Sequence, residues 1–123
     1  MQIYNLTQHE LTEEQKKDGV IDLPEAQRDR VRELLTFEAL PTGAEVAERA
    51  QQLAELAAGA GAEGTMLGGV PFLMEPLQKA LRQRGIRTFF AFSQRRSTEV
   101  RTPEGIVEKR CQFCYEGLVE TGP

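Results

Sequence analysis

At 123 residues, 40% apolar and 28% charged, the chain has room for one hydrophobic core and is too rich in apolar residues for general disorder. No apolar run approaches the roughly 18 residues of a membrane-spanning helix, and Met1-Gln2-Ile3-Tyr4 has no basic segment leading into an apolar signal core, so a cytoplasmic protein is expected. The formal charge of −4 is uneven: residues 1–78 carry six basic and fourteen acidic side chains, residues 79–123 nine basic and five acidic, which favours the second half for an anionic ligand.

Gln2 to Thr7 sets apolar Ile3 among small and aromatic neighbours and suits a first strand. Thr12-Glu13-Glu14-Gln15 has the form of a capping box, in which the hydroxyl accepts from the amide three residues on and the glutamine reaches back, so a short helix is expected from Thr12. Gly19 ends it, and Val20-Ile21-Asp22-Leu23 leads to Pro24 in the first turn of a second helix with Val31, Leu34 and Leu35 on one side. Thr42-Gly43-Ala44-Glu45 repeats the capping pattern, and Val46, Ala50, Leu53 and Ala57 recur at helical spacing as far as Gly59. Gly64-Thr65-Met66-Leu67 is short, apolar and stopped by Gly68-Gly69, as a buried parallel strand is where the chain must turn sharply.

The next helix has Pro71 or Pro76 in its first turns, directs Leu73, Leu77, Ala80 and Leu81 inward and ends at Gly85. Ile86 to Ser93 is aromatic and apolar enough for a central strand, after which polar Ser93-Gln94-Arg95-Arg96-Ser97 replaces the apolar run. Thr102-Pro103-Glu104-Gly105 is a turn that joins Thr98–Arg101 to Ile106–Phe113 as a hairpin, and Thr121-Gly122-Pro123 is expected to fray. The order strand, helices, strand, helix, strand builds right-handed parallel crossovers. The expected fold is a single α/β domain over residues 1–123: a small Rossmann-like parallel sheet with helical crossovers and a C-terminal antiparallel hairpin.

Several chemistries are disfavoured. Cys111 and Cys114 are too few for a disulfide framework and, three apart on a strand, point to opposite faces; a metal site would need both of them with His9 and a carboxylate, so neither a metal nor a cofactor is expected. Gly59-Ala60-Gly61-Ala62-Glu63-Gly64 spells the dinucleotide fingerprint, but its glycines follow a helix and precede a strand, the reverse of the order that aims helix-start amides at a pyrophosphate. No G-x-S-x-G nucleophile elbow or G-K-[ST] phosphate loop occurs. Lys79, Arg82, Arg84 and Arg87 read as the solvated face of a helix and its exit.

The remaining signal is positional. Ligands of open parallel sheets sit beyond the carboxyl ends of the strands, where three segments should meet: Thr7-Gln8-His9, Gly68-Gly69-Val70 and Ser93-Gln94-Arg95-Arg96. They supply hydroxyls, an amide, an imidazole, helix-start amides and guanidinium groups, a phosphate-binding inventory. Each also has a plainer reading: Thr7 or Gln8 caps a turn, Gly68-Gly69 only turns the chain, Arg95 pairs with Glu99 or Glu108, and His9, the sole histidine, is a packing residue.

At these residues the sequence resembles small CRISPR-associated CARF-like proteins, among them ring nucleases that bind and in some cases linearise cyclic oligoadenylates. The resemblance rests on Asn5-Leu6-Thr7-Gln8-His9-Glu10-Leu11-Thr12-Glu13-Glu14-Gln15, on Phe90-Ala91-Phe92-Ser93-Gln94-Arg95-Arg96-Ser97-Thr98-Glu99, and on Gly105 through Phe113; the middle matches only in layout. Where such proteins often carry an aromatic, any residue and histidine near the last strand, this chain has Phe113-Cys114-Tyr115. The resemblance implies a cyclic oligoadenylate held across a two-fold homodimer, and metal-independent cleavage by in-line attack of a ribose 2′-hydroxyl. It implies His9 as proton donor to the leaving oxygen and Arg95 as the first catalytic charge, with Arg96 on phosphate, Gly68 and Gly69 presenting amides, and Thr7, Gln8 and Ser93 positioning the backbone. The alternatives are a sensor that holds the ring uncut, or an accessory protein that binds another phosphate metabolite or a protein partner. Basic residues interspersed with Glu99, Glu104 and Glu108 argue against long nucleic acid.

Overall fold

The structure, a computed structural model, describes residues 1–122, with the side chains of residues 109–112 outside that description; the expected fraying at Pro123 lies outside the described residues. Its elements are β1 (Ile3–Leu6), α1 (Glu13–Lys17), β2 (Val20–Ile21), α2 (Glu25–Leu35), α3 (Gly43–Gly59), β3 (Gly64–Leu67), α4 (Pro71–Gln83), β4 (Arg87–Arg101) and β5 (Val107–Thr121). They form an α/β fold around one sheet of order β2-β1-β3-β4-β5, parallel from β2 to β4 and closed by β5 antiparallel to β4.

Local chemistry accounts for most boundaries. Thr12 caps α1 as a complete box, with its hydroxyl accepting from the Gln15 amide at 3.2 Å and its own amide donating to the Gln15 side chain at 3.1 Å. Thr42 completes only half of the same motif: its hydroxyl accepts from the Glu45 amide at 3.1 Å, while the Glu45 carboxylate turns to Arg49. Pro71 opens α4 and Pro76 lies inside it. Val20 and Ile21 form a two-residue edge strand against Ile3 and Tyr4, an element too short to show a period in the sequence.

The two faces of the sheet are covered unequally. On one, Leu34, Leu53, Leu73, Leu77 and their helical neighbours on α2, α3 and α4 pack on Leu6, Leu67 and Phe90 to make the main core. On the other, Ile3, Val20, Met66 and Phe89 pack with Leu11 and Leu118, and the end of α1 lies alongside. Chain direction therefore diverges between β1 and β3: one crossover leaves towards β2, the next return to β3 and β4.

Two expectations need correction. Ser93–Ser97 does not lie beyond the end of the third strand but is the middle of β4, which runs unbroken from Arg87 to Arg101. Beyond Phe90 the strand has β5 as its only neighbour among the described residues, and every residue from Ala91 to Glu99 is exposed, so polar side chains carry no desolvation cost while the antiparallel ladder continues. Thr121 is also not frayed: it pairs with Thr88, and its hydroxyl donates to the Gln78 side chain at 2.8 Å.

Leu77 is wholly buried between α4 and the sheet. Leu77→Ala is expected to lower unfolding free energy by about 2–5 kcal/mol, measured by urea denaturation, with no change in the slope of the transition.

Candidate functional site

The divergence between β1 and β3 puts a crevice at the carboxyl ends of the strands. Thr7 and Gly68 meet there: a Cβ on Gly68 would stand 3.2 Å from Thr7 Cγ2. Gly69 has φ of 153°, in the region that favours glycine, and a Cβ on it would approach Met74 Cε at 3.3 Å. These two residues let β3 end against β1 and turn straight into α4, whose N-cap, Val70, supplies no side-chain cap and whose first turn holds no acidic residue. The start of α4 thus leaves its positive end uncompensated.

The loop after β1 is held by a polar network whose anchors, Asn5 and Arg28, the sequence reading did not single out. Asn5 is fully buried; its side-chain oxygen accepts from the Thr7 amide (2.9 Å) and hydroxyl (2.7 Å), and its amide donates to the His9 carbonyl (2.9 Å) and to Asp22 (3.1 Å). Arg28, 5% exposed, reaches from α2 to donate to the Thr7 carbonyl and, at 2.7 Å, to the His9 carbonyl. Burial pushes the Arg28 guanidinium below its usual pKa, and the nearby Asp22 carboxylate works the other way. A buried arginine in a helix looks from sequence like one more solvated charge; its only signal was its place on the inward side of α2 beside Val31 and Leu35.

The expected site residues fall into three groups. Thr7 is buried and its hydroxyl is used inside the loop, donating to Asn5 and accepting from the His9 amide at 3.2 Å, so it shapes the floor. Gln8 and His9 are exposed; Gln8 donates to the Thr36 hydroxyl at 2.9 Å, whereas the His9 imidazole makes no hydrogen bond among the described residues, although its backbone is pinned. Gly68 and Gly69 stand beside Thr7 at the crevice. Ser93, Arg95 and Arg96 lie on the same side of the molecule but further out: from the last β3–β4 row, Leu67 with Phe90, the strand carries Ser93 about 10 Å and Arg95 about 17 Å beyond the rim.

Strand alternation separates the two arginines. Arg95, opposite Phe113, shares its face with Ser93 and Tyr115; Arg96 leaves on the other face and pairs with Glu116 at 2.8 Å, which raises its pKa. Arg95 is exposed and has no hydrogen bond or ion pair among the described residues. Tyr115, from β5, donates to the Asp18 carboxylate at 2.7 Å and so ties the foot of the hairpin to the end of α1. Behind the loop a groove of about 350 Å³ is walled by Glu10, Asp22 and Glu25 as well as Lys16, Arg28 and Arg32; its mixed charge makes it a poorer anion site than the rim.

Arg28→Met is expected to cost about 1–3 kcal/mol, because the Thr7 and His9 carbonyls each lose a donor and Asp22 loses a nearby positive charge, and to speed amide hydrogen exchange at Thr7–His9 more than in α3. Burial, then the hydrogen bond and charge of Asp18, push the Tyr115 phenol above its ordinary value of 10.0. The folded state therefore holds this proton after the unfolded chain has lost it, so stability contributed by Tyr115 is complete below about pH 10 and falls as pH rises past it. An ultraviolet difference titration of wild type against Tyr115→Phe is expected to show one phenol ionising above pH 10.

No curated protein and no solved structure matches the chain significantly. A family model does match, over residues 1–119, and the chain belongs to that family, described as the Uncharacterized protein MJ1673 family.

Proposed function

We propose that this protein binds a cyclic oligoadenylate in the cytoplasm, as a two-fold homodimer, and cleaves it without a metal. The carrying observation is that anion-accepting groups stand at two separated places on this end of the molecule. The uncapped start of α4 with Gly68 and Gly69 lies at the crevice, and Arg95, exposed and without a hydrogen bond or ion pair among the described residues, stands about 14 Å further out along β4 by strand geometry, two separate anion-accepting places that suit a ligand with several phosphates rather than one. Phe72, three residues past the glycine turn, and Phe92, next to Ser93, are each about half exposed and offer faces on which adenine can stack. Of these residues, Phe92 and Arg95 lie in a segment that carries the resemblance to ring nucleases.

In this reading a ribose 2′-hydroxyl loses its proton to water as its oxygen attacks the adjacent phosphorus in line, the phosphorus–O5′ bond breaks, and a cyclic 2′,3′-phosphate forms at the opened end. The leaving 5′-oxygen takes a proton from the His9 imidazole, which the pinned loop holds at the rim. Arg95 neutralises charge on the phosphoryl oxygens; Gly68 and Gly69 present backbone amides; Gln8, Ser93 and Arg96 position the remaining backbone. A second reading, a sensor that holds the ring intact, draws support from Tyr115: it occupies the segment where the resembling proteins often carry histidine, and its hydroxyl is committed to Asp18.

Incubation with cyclic tetra- and hexaadenylate in chelator, followed by chromatography, separates the outcomes. A linear product supports cleavage, intact retained ring supports the sensor, and absence of both overturns nucleotide binding. Arg95→Ala is expected to weaken ring binding about tenfold or more with thermal unfolding unchanged. His9→Ala is expected to keep binding and lose about 100-fold in cleavage rate.

A further inference from the structure

From Ala91 outward β4 and β5 leave the sheet as a bare two-stranded arm. The β3 partner stops at the Leu67–Phe90 row, so the arm has two open backbone edges among the described residues, and β4 is exposed at every position from 91 to 99. Such a ribbon is marginal in water without a third strand or a packed face. Its open edges are templates for another chain, and the stretch of β4 from Ser93 to Arg101 carries no proline to blunt them. It also displays apolar groups: Phe113 is 76% exposed, and Ile106 and Val107 at the tip are more than half exposed.

We infer that this arm is the contact with a second copy of the chain, and that it carries Arg95 to the rim of the partner subunit. Ala91 to Arg101 spans about 35 Å, close to the diameter expected of a body of this length, so a straight arm can cross a second molecule but cannot fold back on its own. Charge permits this occupant: residues 1–78 have an excess of eight negative charges, and the arm, residues 91–118, carries five basic against four acidic side chains. Area agrees. A ribbon about 35 Å by 10 Å offers about 350 Å² per face, so both faces of an arm approach the roughly 800 Å² per partner of a standard interface. Each copy giving an arm and receiving one is a self-complementary, two-fold arrangement.

The arm contact stands without a ligand; the shared site rests on the nucleotide reading above. Light scattering of the full chain at tens of micromolar is expected to give twice 13.8 kDa, and the double variant Val107→Asp, Phe113→Asp a monomer with unchanged far-ultraviolet circular dichroism. If that variant does not fold, hydrogen exchange of wild type serves instead, with protection of amides 91–101 rising with concentration. A monomeric wild type, a folded double variant that still dimerises, or concentration-independent exchange overturns the contact. Mixing His9→Ala with Arg95→Ala, each defective alone, is expected to restore about a quarter of wild-type cleavage, since half the dimers are mixed and each has one intact site. No restoration between exchanging dimers overturns the shared site. A wild type that dimerises through the arm yet neither binds nor cuts the ring sinks the nucleotide reading alone and leaves the contact standing.

Discussion

The structure turns on an inequality of strand length. β3 ends after four residues and β4 continues for fifteen, although the two start in register at Gly64 and Arg87. The cause is local to Gly68 and Gly69. Without a Cβ the first can close on Thr7, and with its unusual φ the second can send the chain into α4 at once. A strand that stops beside one that continues leaves a step at the edge of the sheet. The crevice lies at the foot of that step and the arm rises from it, so the candidate site and the unpartnered ribbon have one origin.

Two arginines on this end of the molecule do opposite work. Arg28 is buried, and its charge is spent on two backbone carbonyls of the loop after β1, with Asp22 close by to offset part of the desolvation. Arg95 is exposed and has no partner among the described residues. The first makes a rigid loop out of Thr7-Gln8-His9, whose length alone would leave it mobile, and fixes the base of the exposed imidazole. The second remains available to an anion because its neighbour Arg96, facing the other way, has taken Glu116.

What the sequence reveals follows from range. Capping at Thr12 and Thr42, the inward stripe Leu73, Leu77, Ala80, Leu81 and the turn at Thr102–Gly105 are interactions within a few residues, and all were legible. β2 was hidden because two residues show no alternation, and the path of β4 because polarity was read as the end of a strand rather than the end of its burial. At the site, the glycine turn was legible from composition. The grip of Asn5 and Arg28 was not, since Arg28 stands 21 and 19 residues from the carbonyls of Thr7 and His9 and meets them only once α2 has packed, and its place on the inward side of α2 was the one local mark of its burial.

One irregularity sets how the arm faces the body. The β4–β5 register shifts between Phe92 and Ser93, with Glu116 the extra residue on β5. Without it Tyr115 would stand opposite Gln94 and point to the side of α2, α3 and α4, away from Asp18. With it, Tyr115 stands opposite Ser93, on the side of Phe89 and α1, where its hydroxyl reaches the Asp18 carboxylate. Arg95 follows Ser93 by two and leaves on that same side. The bulge thus couples the anchoring of the arm to the direction of its unpaired charge: the contact that stiffens the foot of the ribbon also requires that Phe113, opposite Arg95, shares the face along which Arg95 is presented.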